Sequence, residues 1–215
     1  DSESQELDGL IHPLLAVAPG EWYSKTEGFT DKLFPYSPNK LGLYEHVVEK
    51  GYNVMMDLRK SDRAYGWRDF GDYIRTDYTP SAWGNNRYDI AHTYFLQFAR
   101  SGDLRYFDFA QTVARHYIDI DMIWSHSEVR YIGGALSAAP EHRRNPAIGI
   151  AFAELSGLVD YYLLTGDRRS LEAACLMGDW FAKMAIGRPT SGFRLDVKDQ
   201  SPRTPGNALI QLMYV

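Results

Sequence analysis

A repeated helix–turn–helix unit limits the folds open to this chain more than any other feature of its sequence. The unit occurs twice, and its turns are formed by Gly102-Asp103 and Gly166-Asp167. Glycine suits the left-handed position that ends many helices, and a following aspartate can accept hydrogen bonds from the free N–H groups of the next helix. We therefore expect two helical hairpins separated by a long loop.

Apolar residues recur in both units at the spacing of one helix face. Intervals of three and four residues place them on a stripe that can pack against a neighbouring helix. The stripes are Phe95, Phe98 and Ala99; Phe107, Ala110, Val113, Ala114 and Tyr117; and Leu171, Ala174, Cys175, Gly178 and Phe181. A third unit begins at Pro205 and stops before its return helix, so we expect this chain to be a piece of a longer polypeptide.

The pattern predicts an all-α fold in one domain. Successive hairpins can close into a ring whose loops form a cleft, so an incomplete (α/α) toroid is the first prediction and an open helical array the alternative. Residues 1–64 are expected to be irregular and partly helical, with a helix over 41–50 that ends at Gly51 and with 52–59 either helix or strand. Residues 65–215 are expected to carry the hairpin repeats, truncated at the C-terminus.

Composition excludes several classes of partner. A net charge of −5 argues against nucleic acid, because neutralising phosphates requires a basic surface. No run of about 18 apolar residues is present, so no membrane span is predicted. The single cysteine, Cys175, rules out an internal disulfide and lies in an apolar helical pattern, so we expect it to be buried.

Two tryptophan motifs precede the first hairpin. They read YGWRDFGD over residues 65–72 and WGNNRYD over residues 83–89, and His92 follows. Aromatic faces stack on sugar C–H surfaces, while planar amide, carboxylate and guanidinium groups bind hydroxyls and carboxylates. The motifs therefore favour a carbohydrate site.

Each motif has a chemical and a structural interpretation. Asp69 and Asp72 would share one face of a helix and suit acid–base hydrolysis, or each pairs with a neighbouring arginine. A helix that begins near Asn86 would place Tyr88 and His92 on one face; alternatively, the asparagine only caps the helix and the tyrosine packs. The candidate substrate ligands here are Trp67, Arg68, Asp72, Arg75, Trp83, Asn85 and Asn86.

A long loop after the first hairpin is rich in basic residues. Loops beyond the minimal length tend to be functional, so this loop forms either a positive pocket opposite the tryptophan motifs or a solvated surface. The histidine spacing matches no strong metal-ligand pattern, and neither a metal nor a cofactor is expected. The candidate residues are His126, Arg130, His142 and Arg143.

Four segments together resemble the rhamnogalacturonan exolyase and YetA-like group of polysaccharide lyases, polysaccharide lyase family 26. They are YGWRDFGD, WGNNRYDIAH, LQFARSGD with the RYF that follows, and GLVDYYLLTGD. The tryptophan motifs are the most specific, because Gly-Asp turns recur in many unrelated toroids. The family's proteins are much larger, with β-sandwich domains beside the toroid.

The resemblance implies that the chain is part of a catalytic toroid that cleaves a uronic-acid-containing polysaccharide by β-elimination. It also implies an acidic polysaccharide or oligosaccharide as partner, further domains of the same polypeptide, and an extracellular or periplasmic location. The reaction needs a base for the C5 proton, an acid for the leaving oxygen and a group that neutralises the carboxylate. A toroid glycoside hydrolase and a non-catalytic carbohydrate-binding domain are the alternatives.

Roles in this reaction are assigned here from residue chemistry. We expect His92 or His126 to be the base and Tyr88 to be the acid or its partner. The substrate carboxylate is expected to meet Asn86 together with Arg75 or Arg143.

Overall fold

A computed structural model describes residues 17–26, 28–29, 32–75, 82–136, 150, 153–186 and 203–214. These residues form the helices α1 (Gly20–Thr26), α2 (Pro38–Ser61), α3 (Ile90–Ser101), α4 (Leu104–His116), α5 (Ser156–Thr165), α6 (Arg168–Ile186) and α7 (Arg203–Leu212). The strands β1 (Ile74–Arg75) and β2 (Ala82–Trp83) pair antiparallel. A π-helical segment, Tyr117–Asp121, continues α4, and Val129–Tyr131 forms a 3-10 turn. The predicted all-α class is confirmed.

The two predicted hairpins are α3–α4 and α5–α6. Gly102 and Gly166 end α3 and α5 with φ values of 72° and 73°. The carboxylates of Asp103 and Asp167 each accept a backbone N–H from the next helix, at 3.0 Å in both cases. Both turns are therefore formed as the sequence predicts.

The core lies where the first hairpin packs against the second. Phe95 of α3 stacks on Tyr161 of α5 with ring centroids 5.8 Å apart, and it meets Phe107 of α4 edge-on at 5.7 Å. Burying an aromatic side chain of this size contributes about 1.5–3 kcal/mol. The predicted apolar stripes of α3 and α4 are buried, so these contacts hold the two hairpins together.

The prediction that Cys175 is buried is wrong, because its side chain is exposed. Each residue of an α-helix is rotated by about 100° from the previous one, which carries Cys175 past the buried Ala174 to the outer side of α6. The buried face of α6 consists of Ala173, Ala174, Met177, Trp180 and Phe181.

Helix α2 is longer than predicted. It continues through Gly51 to Ser61, so the predicted helix end at Gly51 is wrong and residues 52–59 are helical. A glycine inside a helix costs about 1 kcal/mol relative to alanine. Packing of Tyr52 offsets this cost, because its ring meets those of Tyr94 and Tyr106 edge-on at 5.8 and 5.2 Å.

The hairpins have two distinct ends. Asp89, which precedes α3, accepts a hydrogen bond from the N–H of Gly157 in the first turn of α5 at 3.0 Å. Helices α3 and α5 therefore begin together, and their antiparallel partners α4 and α6 finish there. We call this the loop end, since the loops over 84–89 and 122–136 lie there, and the side of the two Gly-Asp turns the turn end.

Candidate functional site

The loop before α3 has an unusual backbone. Asn85, Asn86, Tyr88 and Asp89 have φ values of 48°, 45°, 65° and 49°. Residues other than glycine rarely adopt this left-handed conformation, and a residue held in a sparsely populated region costs on the order of 1–3 kcal/mol. Such strain persists only where the surroundings impose it, and it is concentrated at functional sites. The loop is therefore the first candidate for a site.

Asp72 imposes the first part of this conformation. Its Oδ1 accepts hydrogen bonds from the backbone N–H groups of Tyr73, Gly84 and Asn85 at 2.7, 3.1 and 2.9 Å. The residue is 1% exposed, and burial together with nearby Asp121 raises its pKa to about 7. Asp72, predicted as a substrate ligand, is thus placed to support the loop from inside.

A buried ion pair lies beneath Asp72. His116 Nε2 donates to the carbonyl oxygen of Arg68 at 3.0 Å, and its Nδ1 lies 3.3 Å from Asp121 Oδ2. The π-helical turn places Asp121 on the same side as His116, five residues earlier in the chain. Burial by itself lowers the pKa of His116. Its interactions with the Asp121 and Asp72 carboxylates have the larger combined effect and raise the pKa to about 9. The imidazolium therefore balances the two buried carboxyl groups.

The first tryptophan motif forms a series of turns and not a helix, so the prediction that Asp69 and Asp72 share a helix face is wrong. Trp67 is 75% exposed. The Arg68 guanidinium lies over its ring, 5.6 Å from the centroid. Trp67 is thus accessible at the surface, while Asp72 points inward.

Asp89 and Asn86 fix the second part of the strained loop. Asp89 Oδ1 accepts from the N–H of His92 at 3.1 Å, which caps α3, while its Oδ2 binds the N–H of Gly157 and so caps α5. Asn86 Oδ1 accepts from the N–H of Ala91 at 3.2 Å. Of the two interpretations of Asn86, the structure shows the capping contact. One carboxylate therefore holds the starts of two helices together.

His92 lies at the start of α3, next to these capping contacts, and is the candidate functional group of the loop end. Its Nδ1 lies 2.5 Å from Asp160 Oδ2, and its Nε2 lies 3.4 Å from the hydroxyl oxygen of Tyr214. The Asp160 side chain is 1% exposed, whereas that of His92 is 14% exposed. A carboxylate partner holds the proton on Nδ1 and leaves the Nε2 lone pair directed at the tyrosine. The arrangement can move a proton at Nε2.

Glu154 adds a buried carboxyl group next to this pair. Burial and the nearby Asp89 raise its pKa to about 9, so the group is protonated at neutral pH. Gln211 of α7 donates to its Oε2 at 2.7 Å and accepts from the N–H groups of Leu155 and Ser156. Helix α7 is thereby tied to the start of α5, which brings Tyr214 to His92.

Tyr88 lies at the tip of the strained loop and is 64% exposed. Because α3 begins at Ile90, the prediction that Tyr88 and His92 share a helix face is wrong. The guanidinium carbon of Arg87 lies 4.9 Å from the centroid of the Tyr88 ring. The loop therefore displays an aromatic ring backed by a cation.

The second loop at this end contains His126 and Arg130. His126 Nδ1 accepts from the N–H of Glu128 at 3.0 Å, and its ring meets Tyr131 edge-on at 4.8 Å. Arg130 pairs with Glu128 at 2.6 Å, and its backbone carbonyl accepts from Trp180 Nε1 at 3.0 Å. These contacts dock the loop onto α6, at the end where His92 lies.

The remaining residues predicted as substrate ligands differ in how far they are buried and in the element that carries them. Trp83 lies in β2 and is half-buried, and Asn85 is buried. The backbone of Arg75 belongs to β1, whose partner residue is Ala82. His142 and Arg143 lie outside the described residues.

Sequence reasoning missed Asp160, Tyr214 and Glu154. A signal existed for Asp160, since it interrupts the apolar run of GLVDYYLL and an acidic residue on a buried helix face needs a partner. Tyr214 carried no comparable signal, because its contact with His92 joins residues far apart in the chain.

A metal site and a membrane span are both absent from the part of the chain that the structure describes. No three histidine, cysteine, aspartate or glutamate side chains there are grouped to hold a metal ion. None of the helices described is both long and apolar enough to span a membrane.

Comparison with known proteins leaves the family open: no family model matches the chain, and a search of curated proteins finds no significant match.

Proposed function

We propose that this chain is part of a toroidal polysaccharide lyase that cleaves a uronic-acid-containing polymer by β-elimination. The observation that carries the proposal is the Asp160–His92–Tyr214 arrangement at the loop end. Elimination needs a base that takes the C5 proton and an acid that protonates the leaving oxygen on C4. A histidine beside a tyrosine supplies both groups. Hairpins whose alternate helices run parallel, as α3 and α5 do, are consistent with an (α/α) toroid.

His92 acts as the base. Asp160 keeps the proton on Nδ1, so the Nε2 lone pair takes the C5 proton of the uronate. The C–H electron pair forms the C4=C5 double bond, and the C4–O glycosidic bond breaks. Tyr214 donates its hydroxyl proton to the leaving oxygen, and the new imidazolium returns a proton to the phenolate across the 3.4 Å contact. The pair is then restored with no net change in protons.

The strained loop provides the surroundings for this chemistry. The exposed ring of Tyr88 suits stacking on a sugar face. Arg130 in the 122–136 loop, whose side chain is 44% exposed, is the cation we assign to the substrate carboxylate, which would replace Glu128 as its partner. Neutralising that carboxylate acidifies the C5 proton, as positioned charges do in other enzymes.

The direct test uses the full polypeptide and a panel of uronate polymers, followed by the ultraviolet absorbance of the C4=C5 double bond. His92→Ala and Tyr214→Phe should each lower the rate at least about 100-fold, the usual contribution of an acid or base. Tyr162→Phe, in α5, is the matched control and should retain activity. Full activity in His92→Ala together with its loss in His126→Ala would assign the base to the other loop.

Glu154 favours one alternative, a glycoside hydrolase. A carboxyl group that stays protonated at neutral pH can act as a general acid, and Asp89 lies near enough to raise its pKa. In that case Glu154→Gln would abolish cleavage and the products would be saturated sugars. Glu154 is only 6% exposed and already accepts from Gln211, so the lyase remains our proposal.

A further inference from the structure

A groove of about 480 Å³ lies between α2 and the turn end of the first hairpin. Gln97 and Arg100, in the last turns of α3, form part of its lining. His92 is eight residues before Arg100, which corresponds to about 12 Å along a helix axis. The groove is therefore separate from the site at the loop end.

The charged side chains of the groove are paired with one another. Arg100 and Glu45 are both buried, with Nη2 and Oε1 2.6 Å apart. Arg105 pairs with Glu49 at 3.1 Å and with Asp103 at 2.7 Å. Its hydrogen bond lowers the pKa of Glu49, which keeps that carboxylate charged. A charged ligand would have to displace an existing partner, so the groove favours neutral ligands.

Tyr36 and His46 supply polar groups that a ligand can use. Among the described residues, neither the Tyr36 hydroxyl nor the His46 imidazole has a hydrogen-bond partner, and both residues line the groove. Tyr36 is 53% exposed, and a second tyrosine, Tyr106, also lines the groove. Aromatic faces beside a few placed polar groups are typical of sites for small polar ligands.

Residues 34–36 are fixed against α3 by hydrogen bonds to Arg100. The N–H of Tyr36 donates to the carbonyl of Arg100 at 2.9 Å, and Arg100 Nε donates to the carbonyl of Phe34 at 2.7 Å. The Tyr44 ring packs on the same guanidinium at 4.8 Å. A preorganised surface loses little conformational entropy when a ligand binds.

We propose that this groove binds a neutral oligosaccharide segment, which stacks on Tyr36 and donates or accepts hydrogen bonds at His46. This goes beyond the proposed function, since it adds a second sugar site at the other end of α3. A polymer held there has a raised effective concentration at any other site on the same molecule.

Calorimetric titration of the full polypeptide tests the proposal, with cellotetraose, mannotetraose and galactotetraose as neutral probes and tetragalacturonate as the charged one. At least one neutral probe should bind, and Tyr36→Ala and His46→Ala should each weaken it at least tenfold. Trp22→Ala removes an equally exposed aromatic side chain outside the groove and should bind as wild type does. His92→Ala should also bind normally, which separates this result from the cleavage proposal.

A second variant tests the groove by filling it. A Cβ added at Gly42 meets no atom within 4 Å, so Gly42→Phe should fold and block binding without removing any contact. The proposal is overturned if no neutral probe binds, if the groove variants weaken tetragalacturonate as much as the neutral probes, or if folded groove variants bind the neutral probes as wild type does.

Discussion

The loop end and the turn end of the same helices treat acidic residues in opposite ways. At the turn end, Asp103 and Glu49 share the exposed Arg105, whose hydrogen bonds lower the pKa of both. At the loop end, burial raises the pKa of Asp72 to about 7 and that of Glu154 to about 9. The two ends therefore differ in which form of these carboxyl groups their surroundings favour: the charged form at the turn end and the protonated form at the loop end.

The backbone shows the same contrast. The turn end uses glycine wherever φ is positive, at Gly102 and Gly166, whereas the loop end holds Tyr88 and three amide or acidic residues in that conformation. Strain and raised pKa values together mark functional sites more often than structural turns. The comparison indicates that the turn end stabilises the hairpins, whereas the strained backbone of the loop end makes it the candidate site.

The largest difference between the two ends is expected when an aspartate at each end is replaced and the catalytic rate is measured. Asp160→Asn should lower kcat by on the order of 10²–10⁴, because an amide can donate to Nδ1 and move the proton to Nε2. Asp167→Asn at the turn end should leave kcat near the wild-type value. Steady-state kinetics on the full polypeptide compare the two, and equal losses would contradict the assignment of the site to the loop end.

A large difference in stability is also expected between the supports of the two ends. Asp72→Ala removes the carboxylate acceptor of the Tyr73 and Asn85 N–H groups, while the Gly84 N–H keeps the Tyr73 carbonyl. The free energy of unfolding should fall by roughly 3 kcal/mol. Asp167→Ala removes one cap and should cost about 1 kcal/mol. Urea denaturation measures both values; a smaller loss for Asp72→Ala would show that the loop does not depend on it.

The change in folding stability with pH should depend on the buried carboxyl group of Glu154 at the loop end. Between its ordinary pKa of 4.5 and its raised pKa of about 9, Glu154 keeps a proton in the folded protein that the unfolded chain loses. Stability from Glu154 is therefore lost as the pH rises through this window. Denaturation from pH 5 to 9 should give a shallower decline for Glu154→Gln, and parallel curves would contradict the prediction.

The smallest effect is expected for the turn-end ion pairs. Arg105 is about half exposed, so Arg105→Ala should lower the free energy of unfolding by about 0.5 kcal/mol, a loss that salt reduces further. Thermal unfolding at low and high salt checks this value. A loss as large as that of Asp72→Ala would remove the distinction between the two ends.

The sequence predicted the turn end better than the loop end, because the signals differ in range. Gly102 and Asp103 act on neighbours a few residues away, and such contacts are visible as local patterns. The supports of the loop end join distant residues, as in the hydrogen bonds of Asp72 to Asn85 and of His92 to Asp160. The motifs predict His92 as a candidate base, but a one-dimensional pattern does not show which carboxylate contacts it.

The central claim is that the loop end cleaves its substrate by elimination. Whether oxygen from water enters the cleaved product tests this claim most directly. Cleavage of a uronate polymer by the full polypeptide in water enriched in heavy oxygen, followed by mass spectrometry, separates the two chemistries. Elimination predicts an unsaturated uronate at the new non-reducing end and no heavy oxygen incorporated by the cleavage step. Saturated fragments that carry one heavy oxygen for each bond cleaved, in controls corrected for exchange at the reducing end, would contradict the account.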